Sequence, residues 1–292
     1  MTATLRAALW MTGAITSFTA MAVAGRAVSH QLDTFELMLY RSCVGFVIIL
    51  SIVMINGRQC ELRTANAPLH LLRNLAHFAG QNLWFFALTA IPLAQVFALE
   101  FTSPLWVAAL APLVLGERLT ATRAISAMVG FVGILIIAQP GSGLGLSNGI
   151  VAAALSAICF AFTAMFTRRL TRTETTLAIL MWLTATQLVF GLITAGFDGN
   201  ITLPTWATAP WLVLIGCAGL LAHTCLTIAL SIAPASVVIP IDFTRLPLIA
   251  LIGAVFYGEP VGWALVLGGG LIVLANLVNI RAESTVKPAL GN

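Results

Sequence analysis

The chain has 292 residues, of which 60% are hydrophobic and 8% charged, with a formal net charge of +4. Soluble domains carry about 45–50% apolar and roughly 25% charged residues, so a water-soluble globular fold is excluded and an all-α integral membrane protein is expected. A spanning helix takes roughly 20 apolar residues, so the length accommodates about ten spans with short connections.

Apolar segments run near 7–28, 34–55, 68–90, 92–115, 121–138, 148–167, 175–197, 207–230, 235–257 and 261–280. Turn residues separate them: Asn56-Gly57, Ile91-Pro92, Gly116-Glu117, the glycine-rich stretch at 139–147, "FDGN" at 197–200, Ala233-Pro234 and Gly258-Glu259-Pro260. The first segment, with Arg6 ahead of it and "AVAG" at 22–25, also has the shape of a cleavable signal peptide. Against that, "FTAM" at 18–21 recurs at 162–165, so the first span has a twin inside the chain.

Basic residues set the expected orientation. With a cytoplasmic amino terminus, the inner side collects Arg6, Arg58, Arg63, Arg118, Arg123, Arg168, Arg169, Arg172, Arg281 and Lys287, and the outer loops only Arg26. Both termini are then cytoplasmic. The positive charge follows from this bias, and no basic cluster interleaved with aromatics suggests nucleic acid. The five cysteines (Cys43, Cys60, Cys159, Cys217 and Cys225) form no CxxC pair. No metal site or cofactor is expected.

The strongest organisational signal is a repeat. Residues 86–117 align without a gap to 228–259, a shift of 142 positions. Pro92 meets Pro234, Glu100 meets Asp242, Phe101-Thr102 meets Phe243-Thr244, and Gly116-Glu117 meets Gly258-Glu259. Each half holds five spans, an odd number, so the second half enters from the opposite side and the halves are related by inversion. The expected division is a first repeat at 1–140, a linker at 141–147, and a second repeat at 148–292 with a short tail. Inverted repeats are a transporter architecture, with the substrate between the halves near the midplane.

Ten spans in two halves, the passage Ala87, Leu88, Pro92, Leu93, Ala94 between spans three and four, and a Gly-Glu after spans four and nine resemble the drug/metabolite transporter superfamily in its EamA-type ten-helix branch. The resemblance covers nearly the whole chain and implies a secondary carrier with a central cavity. It suggests export of amino acids, aromatic ones included; riboflavin, S-adenosylmethionine or another solute is the alternative cargo. The second Gly-Glu departs from the first, being followed by Pro260 where the first has Arg118.

The candidate substrate-binding residues begin with the buried charges. Glu100 lies eight residues past Pro92, about 12 Å into the membrane, and Arg41 eight residues past Asp33, so the two can share a depth. An ion at the membrane centre costs at least ~2.5–3.5 kcal/mol and calls for a partner. Arg41 and Glu100 are expected either to bolt spans two and four together or to line the pathway, exchanging protons or meeting a zwitterion. Asp242 holds the equivalent place in the second half, with Arg245 three residues on along the same helical face.

Arg73, His77, Gln81 and Trp84 form a polar stripe on span three, and His223 matches Gln81 in span eight. Histidine near a carboxylate makes protons a candidate coupling ion. Trp10, Phe18, Trp84, Phe101, Phe162 and Phe243 lie well inside spans and are candidate pocket walls. Gly130, Gly133 and Gly268-Gly269-Gly270 are expected at close helix contacts. An intramembrane enzyme would need a catalytic cluster, and there is no HExxH or nucleophile beside a base. A channel would need repeated rings or a filter sequence. The sequence leaves the oligomeric state and the direction of transport open.

Overall fold

The computed structural model describes residues 3–114, 121–138, 147–197, 199–232 and 241–285, and these are helical with short connections. The first half contains α1 (Ala3–Val28), α2 (Thr34–Ile55), a 3-10 turn (Gln59–Leu62), α3 (Ala67–Ala90), α4 (Leu93–Glu100), α5 (Ser103–Val114) and α6 (Ala121–Ala138). The second contains α7 (Asn148–Leu170), α8 (Thr176–Ala195), α9 (Ala209–Ile232), α10 (Arg245–Tyr257) and α11 (Trp263–Thr285). Five of them, α1, α2, α7, α8 and α9, are long and apolar enough to cross a membrane. Four further spans carry shorter apolar helices. The remaining span, α3, has 24 residues but is more polar, because it buries His70, Arg73, Asn74, His77, Gln81 and Asn82.

Helix partners follow the repeat. α1 packs on α9 and α3 on α7, while α2 pairs with α8, α4 with α10 and α6 with α11. Exchanging the first repeat for the second maps this set onto itself. Polarity supplies the inversion. Arg73 of α3 reaches Thr167 of α7, and Gly149, at the other end of α7, abuts Ala90, so α3 and α7 are antiparallel. α1 runs with α3, since α2 alone lies between them in the chain. Therefore α7, the counterpart of α1, runs opposite to α1.

Glycines set the closest approaches. A Cβ on Gly133 would come within 2.7 Å of Gly268 O, and one on Gly268 within 2.6 Å of Gly133 O, which locks α6 to α11. Gly130 makes room for Leu105, whereas Gly270 has nothing within 4 Å, so not every glycine of the expected run is a contact. The start of α2 is fixed by a capping box: Asp33 Oδ1 accepts from Glu36 N at 2.7 Å and Glu36 Oε2 accepts from Asp33 N at 3.1 Å.

Span four is broken, which its apolar pattern does not announce. α4 stops at Glu100, Phe101 and Thr102 form a turn, and α5 restarts at Ser103 with Pro104 unable to donate to the ladder. The Thr102 hydroxyl donates to Leu99 O at 2.7 Å, and the Phe101 carbonyl freed by the break accepts from Asn276 Nδ2 at 2.6 Å. Span nine repeats the device, with Thr244 donating to Ile241 O at 2.8 Å just before α10. Gly116-Glu117, Ala233-Pro234 and positions 235–240 of span nine lie outside the described residues.

Candidate substrate site

The two breaks meet. Arg245 Nη2, at the start of α10, donates to Glu100 Oε1 at 3.0 Å and to Asp242 Oδ2 at 2.9 Å. Trp84 Nε1 of α3 donates to Glu100 Oε2 at 2.8 Å. The guanidinium is 3% exposed and is walled by rings, lying 4.9 Å from the centroids of Phe18 and Phe97 and 5.2 Å from that of Phe101. Phe243 closes the wall against Phe101, 5.3 Å between centroids. Such faces favour a cation through their quadrupole, so the cage offsets part of the cost of burying Arg245. Two carboxylates share one guanidinium here, and Asp242 Oδ1 has no partner among the described residues.

A second polar centre lies beside the first. Phe18 joins them, since its ring meets Arg245 and also contacts the edge of His223 on α9, 5.5 Å away. His223 meets His77 of α3 at 5.2 Å, and His77 meets Phe160 of α7 at 6.1 Å. Among the described residues neither nitrogen of His77 has a partner, nor do His223 Nε2 and Gln81 Oε1. Arg73 Nε donates to the Thr167 hydroxyl at 3.0 Å and its Nη1 to Asn74 Oδ1 at 2.9 Å. Among the described residues Arg41 reaches only Met38 Sδ, at 4.0 Å. Among the described residues neither arginine has a carboxylate partner. This centre borders a cavity of about 20 Å³ between α2, α8 and α9, lined by Arg41, Ser42, Thr184, Gln187, Gly219 and His223 among others, room for about one water-sized group. Among the described residues no group of three His, Cys, Asp or Glu could hold a metal ion.

Both ends of the bundle are tied across the repeats. Where α1 ends, Arg26 pairs with Glu259, whose Oε2 accepts from Leu93 N at 2.8 Å at the start of α4. The Arg26 guanidinium also lies 4.8 Å over Tyr257. The Gly-Glu turn explains the geometry: Gly258 takes a left-handed conformation, φ 63°, so the chain folds back and Glu259 N donates to Gly253 O at 3.0 Å. At the other end Glu174 accepts from the Thr64 hydroxyl and from Asn66 Nδ2, the latter at 3.2 Å.

With this geometry in view, known proteins give a consistent match. The EamA-like transporter family profile fits residues 5–139 and again 147–281. The chain belongs to the EamA-like transporter family. A riboflavin transporter of Rhizobium johnstonii is 34% identical over 243 residues, covering 82% of this chain and 79% of that protein. A riboflavin transporter of Vibrio cholerae is 30% identical over 93% of this chain and 91% of its own. An S-adenosylmethionine uptake transporter of Rickettsia bellii is 24% identical, covering 94% and 93%. A crystal structure 18% identical superposes with a TM-score of 0.66 over 96% of this chain and 98% of the other, which shows a shared fold.

Several sequence expectations for this EamA-like protein change. Arg41 and Glu100 form no bolt; the partner of Glu100 is Arg245, because the breaks in spans four and nine bring α4 to α10 while Arg41 faces α9. The pairing of Asp242 with Arg245 does form. Trp10 is 39% exposed on α1 and stands apart from both centres. Phe162 stacks on Phe166 at 6.1 Å instead of joining His77. The ring that does so is Phe160, which lies 142 positions from Phe18, the same shift as the longer repeat, so the "FTAM" echo is two residues out of register. Sequence reasoning also missed Phe97, which touches the guanidinium and sits one turn before Phe101 on α4, and Gln187 and Asn74, which join α8 to α3.

Proposed function

We propose that the chain is a secondary carrier that moves riboflavin, or a metabolite of similar build, by alternating access. The observation that carries this is the aromatic cage at the two helix breaks: Phe18, Trp84, Phe97, Phe101 and Phe243 give a flat, largely apolar solute faces to stack on, and Glu100, Asp242 and Arg245 fix its polar groups. Arg41, His77, Gln81 and His223 form the second polar wall. Discontinuous helices near the midplane, one from each inverted half, are where transporters of this architecture place substrate. The names of the relatives support vitamin or cofactor cargo over the amino-acid export first expected.

The halves, divided as 1–140 and 148–292, rock about the site with both termini cytoplasmic in a bacterial inner membrane. A cavity of about 20 Å³ is far below the roughly 300–1,000 Å³ of a ligand pocket, so cargo enters only when the halves part. Protons are the proposed coupling ion, because two carboxylates facing one guanidinium leave one negative charge for a proton or the cargo to offset. No catalysis is proposed. S-adenosylmethionine is the second reading, favoured by the unpartnered Asp242 Oδ1, which suits a sulfonium cation.

Purified protein in liposomes, offered labelled riboflavin, S-adenosylmethionine and phenylalanine across imposed pH gradients, tests the proposal. Riboflavin is expected to accumulate faster than in protein-free vesicles and to respond to the gradient. Accumulation of phenylalanine alone would overturn it.

A further inference from the structure

The cavity between α2, α8 and α9 holds polar groups that the cage does not use. Arg41 is 7% exposed and keeps its charge at any pH the protein meets, yet its Nε has no acceptor among the described residues. Its place is close-fitting: a Cβ on Gly219 would come within 3.0 Å of Arg41 Nε and 3.2 Å of Nη2, so the glycine lets the guanidinium lie tightly against α9. His223 Nε2 lacks a partner as well. Gln187 donates through Nε2 to Asn74 O at 2.9 Å, which fixes the amide and leaves its buried Oε1 as an unfilled acceptor. The Ser42 and Thr184 hydroxyls are turned away, donating to Met38 O at 2.7 Å and Leu180 O at 3.0 Å.

With the His223 proton assigned to Nε2, the vacant set is two donors and one acceptor at one cavity, and each is destabilising while unmet. A carboxylate would satisfy Arg41 and His223 but would face the Gln187 oxygen. A sulfonium or ammonium would suit Gln187 and be repelled by Arg41. A planar edge that runs carbonyl, N–H, carbonyl satisfies all three groups.

We infer that this cavity recognises the imide edge of a flavin ring, Arg41 and His223 donating to the two carbonyl oxygens and Gln187 Oε1 accepting from the N–H. The inference deepens the riboflavin reading and rests on it. At about 20 Å³ the cavity is too small for a ring while the halves are closed, so the imide edge enters when they part, with the body extending past His223 towards Phe18 and His77, whose rings continue from the cavity wall. Specificity between flavins is then set by residues outside the charged cage.

Competition against labelled riboflavin uptake in liposomes tests this, using unlabelled riboflavin and 3-methylriboflavin, in which a methyl group replaces the imide hydrogen. Wild-type protein is expected to prefer riboflavin by about tenfold or more, because a polar site left unpaired rejects the analogue. Gln187→Met is expected to close that gap to within about twofold, since the acceptor that reads the N–H is gone. Arg41→Lys, which keeps the charge without the planar fork, is expected to weaken both compounds by a similar factor, and it carries the test if Gln187→Met does not assemble. Equal competition by both compounds in the wild type overturns the inference, as does a full preference retained by Gln187→Met or unchanged affinities in Arg41→Lys. A wild-type protein that takes up phenylalanine and no riboflavin overturns the proposed function itself, which separates the two failures.

Discussion

The two polar centres of this carrier are built on one scaffold and charged differently. At the helix breaks, Glu100, Asp242 and Arg245 neutralise most of each other's charge, and Phe18, Phe97 and Phe101 hold the guanidinium among their rings. On α2, α3 and α9, Arg41 and Arg73 stand buried without a carboxylate among the described residues, beside two histidines with nitrogens that find no partner there. The first centre is partly compensated from within, since Arg245 offsets one of its two carboxylate charges. The second leaves polar groups unmet among the described residues, which is why we propose that cargo binds there. Phe18 touches both, so a ring displaced there would be felt by Arg245 and His223 together.

Breaking the first centre is expected to give the largest effect. Arg245→Met leaves two buried carboxylates without a counter-charge, and losing one partner of a buried pair costs about 3–5 kcal/mol. Folded yield, read by size-exclusion chromatography and thermal melting in detergent, is expected to collapse. Adding Glu100→Gln and Asp242→Asn should restore the fold but not transport. Recovery of transport in that triple variant would mean that the cluster is a structural bolt only.

Glu100→Gln alone separates charge from shape, since the amide oxygen can still accept from Trp84. Expression is expected near wild type, with riboflavin uptake falling about tenfold, the loss of one charge-assisted contact. Unaltered uptake would return the residue to a packing role. Next in size is Glu259→Gln, which weakens the tie to Arg26 and the cap on Leu93 N; about 1–3 kcal/mol is expected, read as a lower melting temperature. Exchanging the pair, as Arg26→Glu with Glu259→Arg, should recover part of it, and no recovery would show that the contact is not electrostatic. Smallest of all, Trp10→Ala and Phe162→Ala are expected to change stability by no more than about 0.5–1 kcal/mol and transport not at all. A transport defect in either would extend the site beyond the two centres.

The architecture was legible because membrane burial imposes long apolar runs and because a repeat places an acid, a proline and a Gly-Glu pair in register at one shift. Inversion followed from an odd span count, and the α3–α7 contacts bear it out. The partner of Glu100 was not legible. Depth along a helix ranks residues by height alone, and Arg41 and Arg245 are both possible at that height until the break at Phe101-Thr102 turns α4 towards α10. That break had a local signal, a threonine two residues before Pro104, but the apolar pattern runs through it unchanged. Phe160 was missed for a similar reason, since the four-letter "FTAM" match outweighed the shift of 142 carried by the longer repeat.

The central claim is that a solute sits against the aromatic cage between the halves. Riboflavin fluorescence is quenched when its ring stacks on an electron-rich indole, which Trp84 supplies in the cage, so titrating purified protein into riboflavin in detergent tests the claim directly. Saturable quenching that weakens in Glu100→Gln and in Phe97→Ala, and is unaffected by Trp10→Ala, is the expected result; quenching that fails to saturate, or that is the same in all four proteins, would contradict it.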